Sequence, residues 1–294
     1  MNKKLVSILL FCAFALGYWV GLLSHNHLPW PVERLSRIKK QLLREAVYDA
    51  DYRLIGYPDK KKIPCPEQTA QTVVLFTIGQ SNTANSAEQR HASTAGDKVV
   101  NYFEGDCFVA SSPLLGTTDQ AGEPWTLLGN RLVQNHMADR VILIPAGIGG
   151  SPIKRWQEGG DLNKKMLSIL DRVKPVYRVT HILWHQGETD FALNTPKVEY
   201  EKMFRSLVDS IRKRGIPAPV YVSVASRTSP AWSPDNPVAL AQKSLVDRSR
   251  NILPGVDTDS LLASAESRHD GVHFSASGQE KFANAWMEVL KTAP

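Results

Sequence analysis

Val73-Val74-Leu75-Phe76-Thr77-Ile78-Gly79-Gln80-Ser81-Asn82 is the stretch whose reading decides the fold of this chain. Its run of β-branched and apolar residues stops at Gly79, and small polar residues follow. A run this apolar predicts a strand buried on both faces, as in a parallel sheet. Glycine permits a sharp turn at the strand's carboxyl end, where α/β folds bind their ligands. Ser81 then stands just beyond the sheet edge, a position suited to a nucleophile. A capping serine in an ordinary strand-to-helix turn gives the same local pattern, so the rest of the chain must decide.

Working outward, the pattern alternates from Thr72 to the C-terminus. Strands are predicted over 73–78, 98–103, 140–144, 180–185 and 219–225, and helices over 125–137, 161–173, 196–214, 238–251 and 277–290. Thr195-Pro196 offers an N-cap followed by a first-turn proline, and Ser277-Gly278-Gln279-Glu280 has the form of a capping box. Strands separated by helices imply right-handed crossovers and a three-layer α/β/α sandwich with a central parallel sheet. A proline-rich loop, 228–237, follows the last predicted strand.

The chain has 294 residues, is 43% hydrophobic and carries a formal charge of +6, enough for one large domain and an appendage. Eleven Lys/Arg and six Asp/Glu precede Thr72, leaving 24 basic and 23 acidic residues for the remainder. The folded part is therefore nearly neutral, which argues against a nucleic-acid partner. Lys3-Lys4 precedes an apolar stretch, Leu5 to Leu23, of about the length that crosses a bilayer. The expected organisation is a signal anchor at 1–24, a juxtamembrane amphipathic helix and linker at 25–71, with the helix from Pro31 to about Ala50, and a catalytic domain at 72–294. A single N-terminal transmembrane helix would make the membrane a partner and leave the domain periplasmic or extracellular; secretion after signal cleavage is the alternative. Cys65 and Cys107 are a possible disulfide pair in such a compartment.

Three further clusters follow predicted strands. Pro145-Ala146-Gly147-Ile148-Gly149-Gly150-Ser151 is a glycine-rich turn able to offer a backbone N–H, without the spacing or lysine of a phosphate loop. His185-Gln186-Gly187-Glu188 supplies an amide donor and a carboxylate, with His185 itself read as structural. Asp270-Gly271-Val272-His273, before the last helix, can hold an imidazole by a carboxylate with the other ring nitrogen facing a serine.

Together the four clusters resemble the SGNH (GDSL-like) hydrolase superfamily, with its flavodoxin-like sandwich, and within it the sialate O-acetylesterase-like carbohydrate esterases. Gly79-Gln80-Ser81-Asn82 is similar to the nucleophile motif of that branch, Gly149-Gly150-Ser151-Pro152-Ile153 with Trp156 to its glycine motif, Trp184-His185-Gln186-Gly187-Glu188 to its third motif, and Asp270–His273 to its acid–base motif. The resemblance implies a catalytic Ser81, His273 and Asp270, and an oxyanion hole from Ser81, Gly149 and Gln186, the last in place of the superfamily's asparagine. Gln80, Asn82, Gly150 and Glu188 are supporting residues in this reading, and neither metal nor organic cofactor is required.

The implied activity is removal of O-acetyl groups from carbohydrate through an acyl-enzyme. Trp156, Trp232 and Tyr102 are candidates for stacking on sugar rings, and Arg155 for contact with an acidic sugar. Acetyl transfer to another sugar, lipolytic or thioesterase activity, and non-catalytic glycan binding remain open alternatives, as do the glycan and the oligomeric state.

Overall fold

The computed structural model describes residues 45–228 and 232–292. The proposed anchor and most of the juxtamembrane helix lie outside them. Among the described residues no helix is long and apolar enough to cross a membrane, and Val47–Tyr48 is a strand where the predicted helix would still be running. The chain divides into two compact units, and the larger, Tyr48–Ile55 with Asp59–Pro294, holds the four clusters.

The centre of this unit is an eight-stranded sheet built from β1 (Lys62–Ile63), β2 (Thr72–Gly79), β3 (Val99–Phe103), β4 (Asp106–Val109), β5 (Arg140–Pro145), β6 (His181–His185), β7 (Val220–Val224) and β8 (Ile252–Asp257), in the order β8-β7-β6-β2-β5-β3-β4-β1. From β8 to β3 the pairing is parallel. β4 pairs antiparallel with β3, and β1 antiparallel with β4. The chain visits β3 and β5 on one side of β2, then crosses to β6, β7 and β8 on the other. β2 is thus at the switch point, where open α/β sheets form their ligand crevice.

The double-sided burial of β2 explains its composition. Val74, Phe76 and Ile78 join one core while Leu75 packs into the other. The first core takes the apolar faces of α2 (Asp161–Val173), α4 (Lys197–Lys213) and α5 (Pro237–Ser244), through residues such as Met166, Phe204 and Val238. The second takes α1 (Trp125–Gln134) and α7 (Ala276–Lys291), through Trp125, Phe282 and Trp286, with the short α6 (Thr258–Leu261) lying between β8 and α7 in the chain. This is the expected three-layer sandwich. Each fully buried large side chain contributes about 1.5–3 kcal/mol, and truncating Phe76 to alanine would cost about 3–5 kcal/mol.

Several local expectations are corrected. The helix predicted to run to Asn251 ends at Ser244, and β8 follows at the sheet edge, where the ladder tolerates its Pro254. α7 is capped by Ser275, whose Oγ accepts from Gly278 N, so Ser277 lies inside the helix and donates to Glu266 O instead. Thr195 does not cap α4; its hydroxyl donates to Asp190 Oδ1 at 2.7 Å. Residues read as linker belong to the body: β1 extends the sheet, and Cys65 is disulfide-bonded to Cys107.

Candidate active site

The site begins where β2 ends. Gly79 has φ +141, and a Cβ there would lie 2.0 Å from the carbonyl oxygen of His185 on the neighbouring strand. Only glycine fits this approach. The chain then makes a 3-10 turn, Ser81–Thr83, closed by Thr83 N donating to Gln80 O and Ala84 N to Ser81 O. The leading N–H groups of such a turn have no partner within it, which leaves the Ser81 N–H for a partner outside the turn. Ser81 is only 7% exposed, which keeps its hydroxyl out of bulk water.

The turn is fixed from below. Gln80 Oε1 accepts from the N–H groups of Gly187 (3.3 Å) and Thr189 (3.2 Å), at the start of α3 (Glu188–Ala192). Asn82 Nδ2 donates to Glu188 Oε1 at 2.8 Å and to Val272 O at 3.3 Å. Burial pushes the Glu188 carboxyl up, with the Asn82 amide opposing it. Gln80, Asn82 and Glu188, expected as supporting residues, tie the ends of β2 and β6 to one another and to the Asp270–His273 loop. Gly150 is at φ +62, a turn position where an added Cβ would meet open space.

Across the mouth, Ser81 Oγ lies 2.9 Å from His273 Nε2, and His273 Nδ1 lies 2.6 Å from Asp270 Oδ2. The other carboxylate oxygen of Asp270 accepts the N–H groups of Val272 (2.9 Å) and His273 (2.7 Å). Partial burial pushes this carboxyl up, but the His273 backbone and ring donors and the Val272 N–H outweigh it and hold it at about 2. An ionised carboxylate only accepts, so Nδ1 carries the proton and Nε2 accepts from the serine hydroxyl.

Sequence reasoning missed two residues that hold this loop. Arg268, buried and lying over the Phe274 ring, donates to Val272 O. His269 stacks on His273 with ring centroids 6.0 Å apart and hydrogen-bonds Ser86 O through Nε2. No motif marks either, because each acts through a backbone carbonyl or a ring face. His269, Asp270 and His273 also bring metal-ligand atoms within 4.8 Å of one another. Those atoms of Asp270 and His273 are engaged with each other and with Ser81, so an ion there would break the file.

The residues expected to form an oxyanion hole are placed unequally. Gly149 stands opposite the nucleophile, its pro-Cβ position 3.9 Å from Ser81 Cβ, and its N–H donates to Thr118 Oγ1 at 2.9 Å. No motif pointed to Thr118. Gln186 is not positioned as expected. Fully buried, it directs its amide nitrogen to Gln80 Oε1 (3.2 Å), Ser151 O (3.1 Å) and Asp190 Oδ2 (2.5 Å), and its oxygen accepts from Tyr200 OH at 2.9 Å. An amide with both N–H groups engaged braces the floor and has no donor left for an oxyanion. His185 is structural as read, buried with Nε2 3.0 Å from Thr258 Oγ1.

Burial overturns two of the proposed sugar contacts, Trp156 and Tyr102, and the other two, Arg155 and Trp232, do not line the cleft beside His273. Trp156 is 1% exposed, packed edge-on against Trp184 with its indole N–H on Ser151 Oγ. Tyr102 is buried edge-to-face against Tyr177. Arg155 is paired with Asp161 through Nε and Nη2. Trp232 is half-buried, donating to Ser226 Oγ under the Arg227 guanidinium. All four are engaged elsewhere, and the cleft beside His273, about 550 Å³, is lined by other residues.

The chain is an α/β-sandwich hydrolase of carboxylic ester bonds. Within that class, a family model described as carbohydrate esterase, sialic acid-specific acetylesterase, matches residues 71–291, and the chain belongs to this family. No curated protein matches the sequence. Among solved structures, a protein of Arabidopsis thaliana superposes with a TM-score of 0.58 at 17% identity, covering 76% of this chain and 98% of that one. An acetylxylan esterase from Geobacillus stearothermophilus gives 0.49 at 14% identity over 75% and 95%. A carbohydrate acetylesterase from Xanthomonas citri gives 0.49 at 14% identity over 73% and 55%.

Proposed function

We propose that this carbohydrate esterase removes acetyl groups from O-acetylated sugars by a Ser81–His273–Asp270 mechanism. Ser81 Oγ attacks the acetyl carbonyl as His273 Nε2 takes its proton, and Asp270 holds the imidazole and stabilises its charge. The backbone N–H groups of Ser81 and Gly149 receive the oxyanion, with Gly149 turning from Thr118; losing one such donor typically costs about 10²–10³ in kcat. His273 then protonates the departing sugar oxygen, and a water activated by the same ring releases acetate. The observation that carries this reading is the unbroken file from Asp270 Oδ2 through His273 to Ser81 Oγ, at 2.6 and 2.9 Å.

The domain is proposed to work outside the cytoplasm, tethered by the apolar segment Leu5 to Leu23, where it would meet acetylated envelope or extracellular glycan. The Cys65–Cys107 disulfide supports an oxidising compartment. Acetate release from a panel of acetylated polysaccharides and mono- and oligosaccharides, with Ser81→Ala as control, tests the activity. Release by the wild type alone is expected, and equal release by both proteins would end the assignment. Membrane fractionation of the full chain, with and without residues 1–24, tests the anchor: the full chain should pellet with membranes and the truncated chain should not.

A further inference from the structure

Residues Tyr48–Ile55 precede the region matched by the family model, yet they fold onto the loops of the site. Asp49 closes a tight turn: its Oδ1 accepts the N–H groups of Asp51 and Arg53, both at 3.0 Å, and its Oδ2 accepts Arg53 Nε at 2.8 Å. The chain leaving the turn is laced to the Gly116–Asp119 loop by Leu54 N on Thr117 O (2.7 Å) and Gly116 N on Leu54 O (2.8 Å). Arg53 bridges Thr118, the residue that receives the Gly149 N–H. At the crest of the turn Tyr52 is held at φ +59 and is 77% exposed. Bulky side chains rarely occupy this left-handed region, and such strain concentrates where a ligand is engaged.

Tyr52 overhangs the cleft beside His273, with Tyr48, Ser86, Asp119 and Gln120 among its lining. Asp119 is also at positive φ, +64, and accepts from Ser86 Oγ. The lining offers phenol rings, a carboxylate, an amide and a hydroxyl, and no aliphatic tunnel for an acyl chain. That is the chemistry of a pyranose site, with an aromatic face for the C–H side of the ring and polar groups for its hydroxyls. Catalytic geometry gives the same orientation. His273 must deliver a proton to the leaving oxygen, so the sugar sits on the histidine's side of the nucleophile. The cleft opens there.

We infer that the Tyr48–Arg53 turn is part of the substrate site: Tyr52 stacks on the sugar that carries the acetyl ester, and Asp119 hydrogen-bonds its hydroxyls. This rests on the carbohydrate reading of the site and names the residues that enforce it. The test compares wild type, Tyr52→Ala and Tyr52→Trp on a monoacetylated methyl pyranoside, ethyl acetate and 4-nitrophenyl acetate, with thermal melts to check folding. In Tyr52→Ala the ratio of kcat/KM for the pyranoside to that for 4-nitrophenyl acetate should fall about tenfold, chiefly through KM, and Tyr52→Trp should restore most of it. A ratio unchanged in Tyr52→Ala overturns the subsite and leaves the esterase reading standing. A wild type that hydrolyses ethyl acetate as well as the pyranoside overturns the carbohydrate reading, and the subsite with it.

Discussion

The nucleophile turn and the acid–base turn face each other across 2.9 Å and are built in opposite ways. Gly79–Thr83 is buried, wedged by a backbone contact that only glycine permits and fastened by the Gln80 side chain. Asp270–His273 lies open to solvent, and its position depends on polar ties: two amides on Asp270, and Asn82 and Arg268 on the Val272 carbonyl. One half of the site is set by packing against the sheet, the other by hydrogen bonds to its rim. Damage to the first should therefore appear in stability, and damage to the second in turnover.

The sharpest separation comes from Asp270→Asn. It leaves the loop's shape but removes the acceptor that fixes the Nδ1–H tautomer, so kcat should fall about 10³–10⁴-fold. The urea midpoint should move less than in Gly79→Ala, since the asparagine oxygen can still accept the Val272 and His273 N–H groups and the residue is partly exposed. A large loss of stability here would erase the distinction. Gly79→Ala makes the converse case. Its Cβ would meet the His185 carbonyl oxygen at a positive φ, so stability should drop by about 3–5 kcal/mol in urea unfolding. A stable, active Gly79→Ala protein would mean that the wedge does not hold the turn.

Asn82→Ala acts on the tie between the halves, leaving Glu188 and Val272 O each short of one donor. A fall in kcat of about 10–100-fold with a stability loss of about 1–3 kcal/mol is expected. A change in stability alone would show that the tie does not position His273.

Much of this division was legible in the sequence. The apolar run before Gly79 and the clusters at strand ends pointed to one edge of the sheet, because a parallel sheet collects its strand ends there; Asp270–His273 joins them from the loop before the last helix. What escaped has physical reasons. β8 carries Pro254 and Gly255, which signal a break in isolation but are tolerated at a sheet edge. Val47 continues an amphipathic spacing, yet the chain is extended there and turns at Asp49. Gln186 bears the right amide for an oxyanion donor, but only its distances to Gln80, Ser151 and Asp190 reveal that the amide is committed. Trp156 looks like a sugar platform until its burial is seen. Tyr52 reaches the cleft from a stretch that carries no motif.

A further effect concerns pH. Burial first, then the Arg268 charge, hold the His185 imidazole down at about 3, against about 6.5 in the unfolded chain. Between those values the folded protein binds fewer protons, so this contribution is whole above pH 6.5 and is lost as pH falls towards 3. Glu188, raised by burial, works in the opposite sense from its ordinary value upward, so the comparison is made with a His185→Gln variant that retains it. From about pH 7.5 to about pH 4.5 the wild type should lose about 2–3 kcal/mol more than the variant. Parallel curves would show that His185 does not couple the floor of the site to acid.

The central claim is that Ser81 carries the acetyl group. Its most direct measurement is mass spectrometry of protein quenched during turnover of an acetyl ester, followed by peptide mapping. An acetyl ester on the peptide containing Ser81, accumulating in the wild type and absent from Ser81→Ala, is the predicted result. Acetylation of a different residue during turnover, or undiminished turnover by Ser81→Ala, would contradict it.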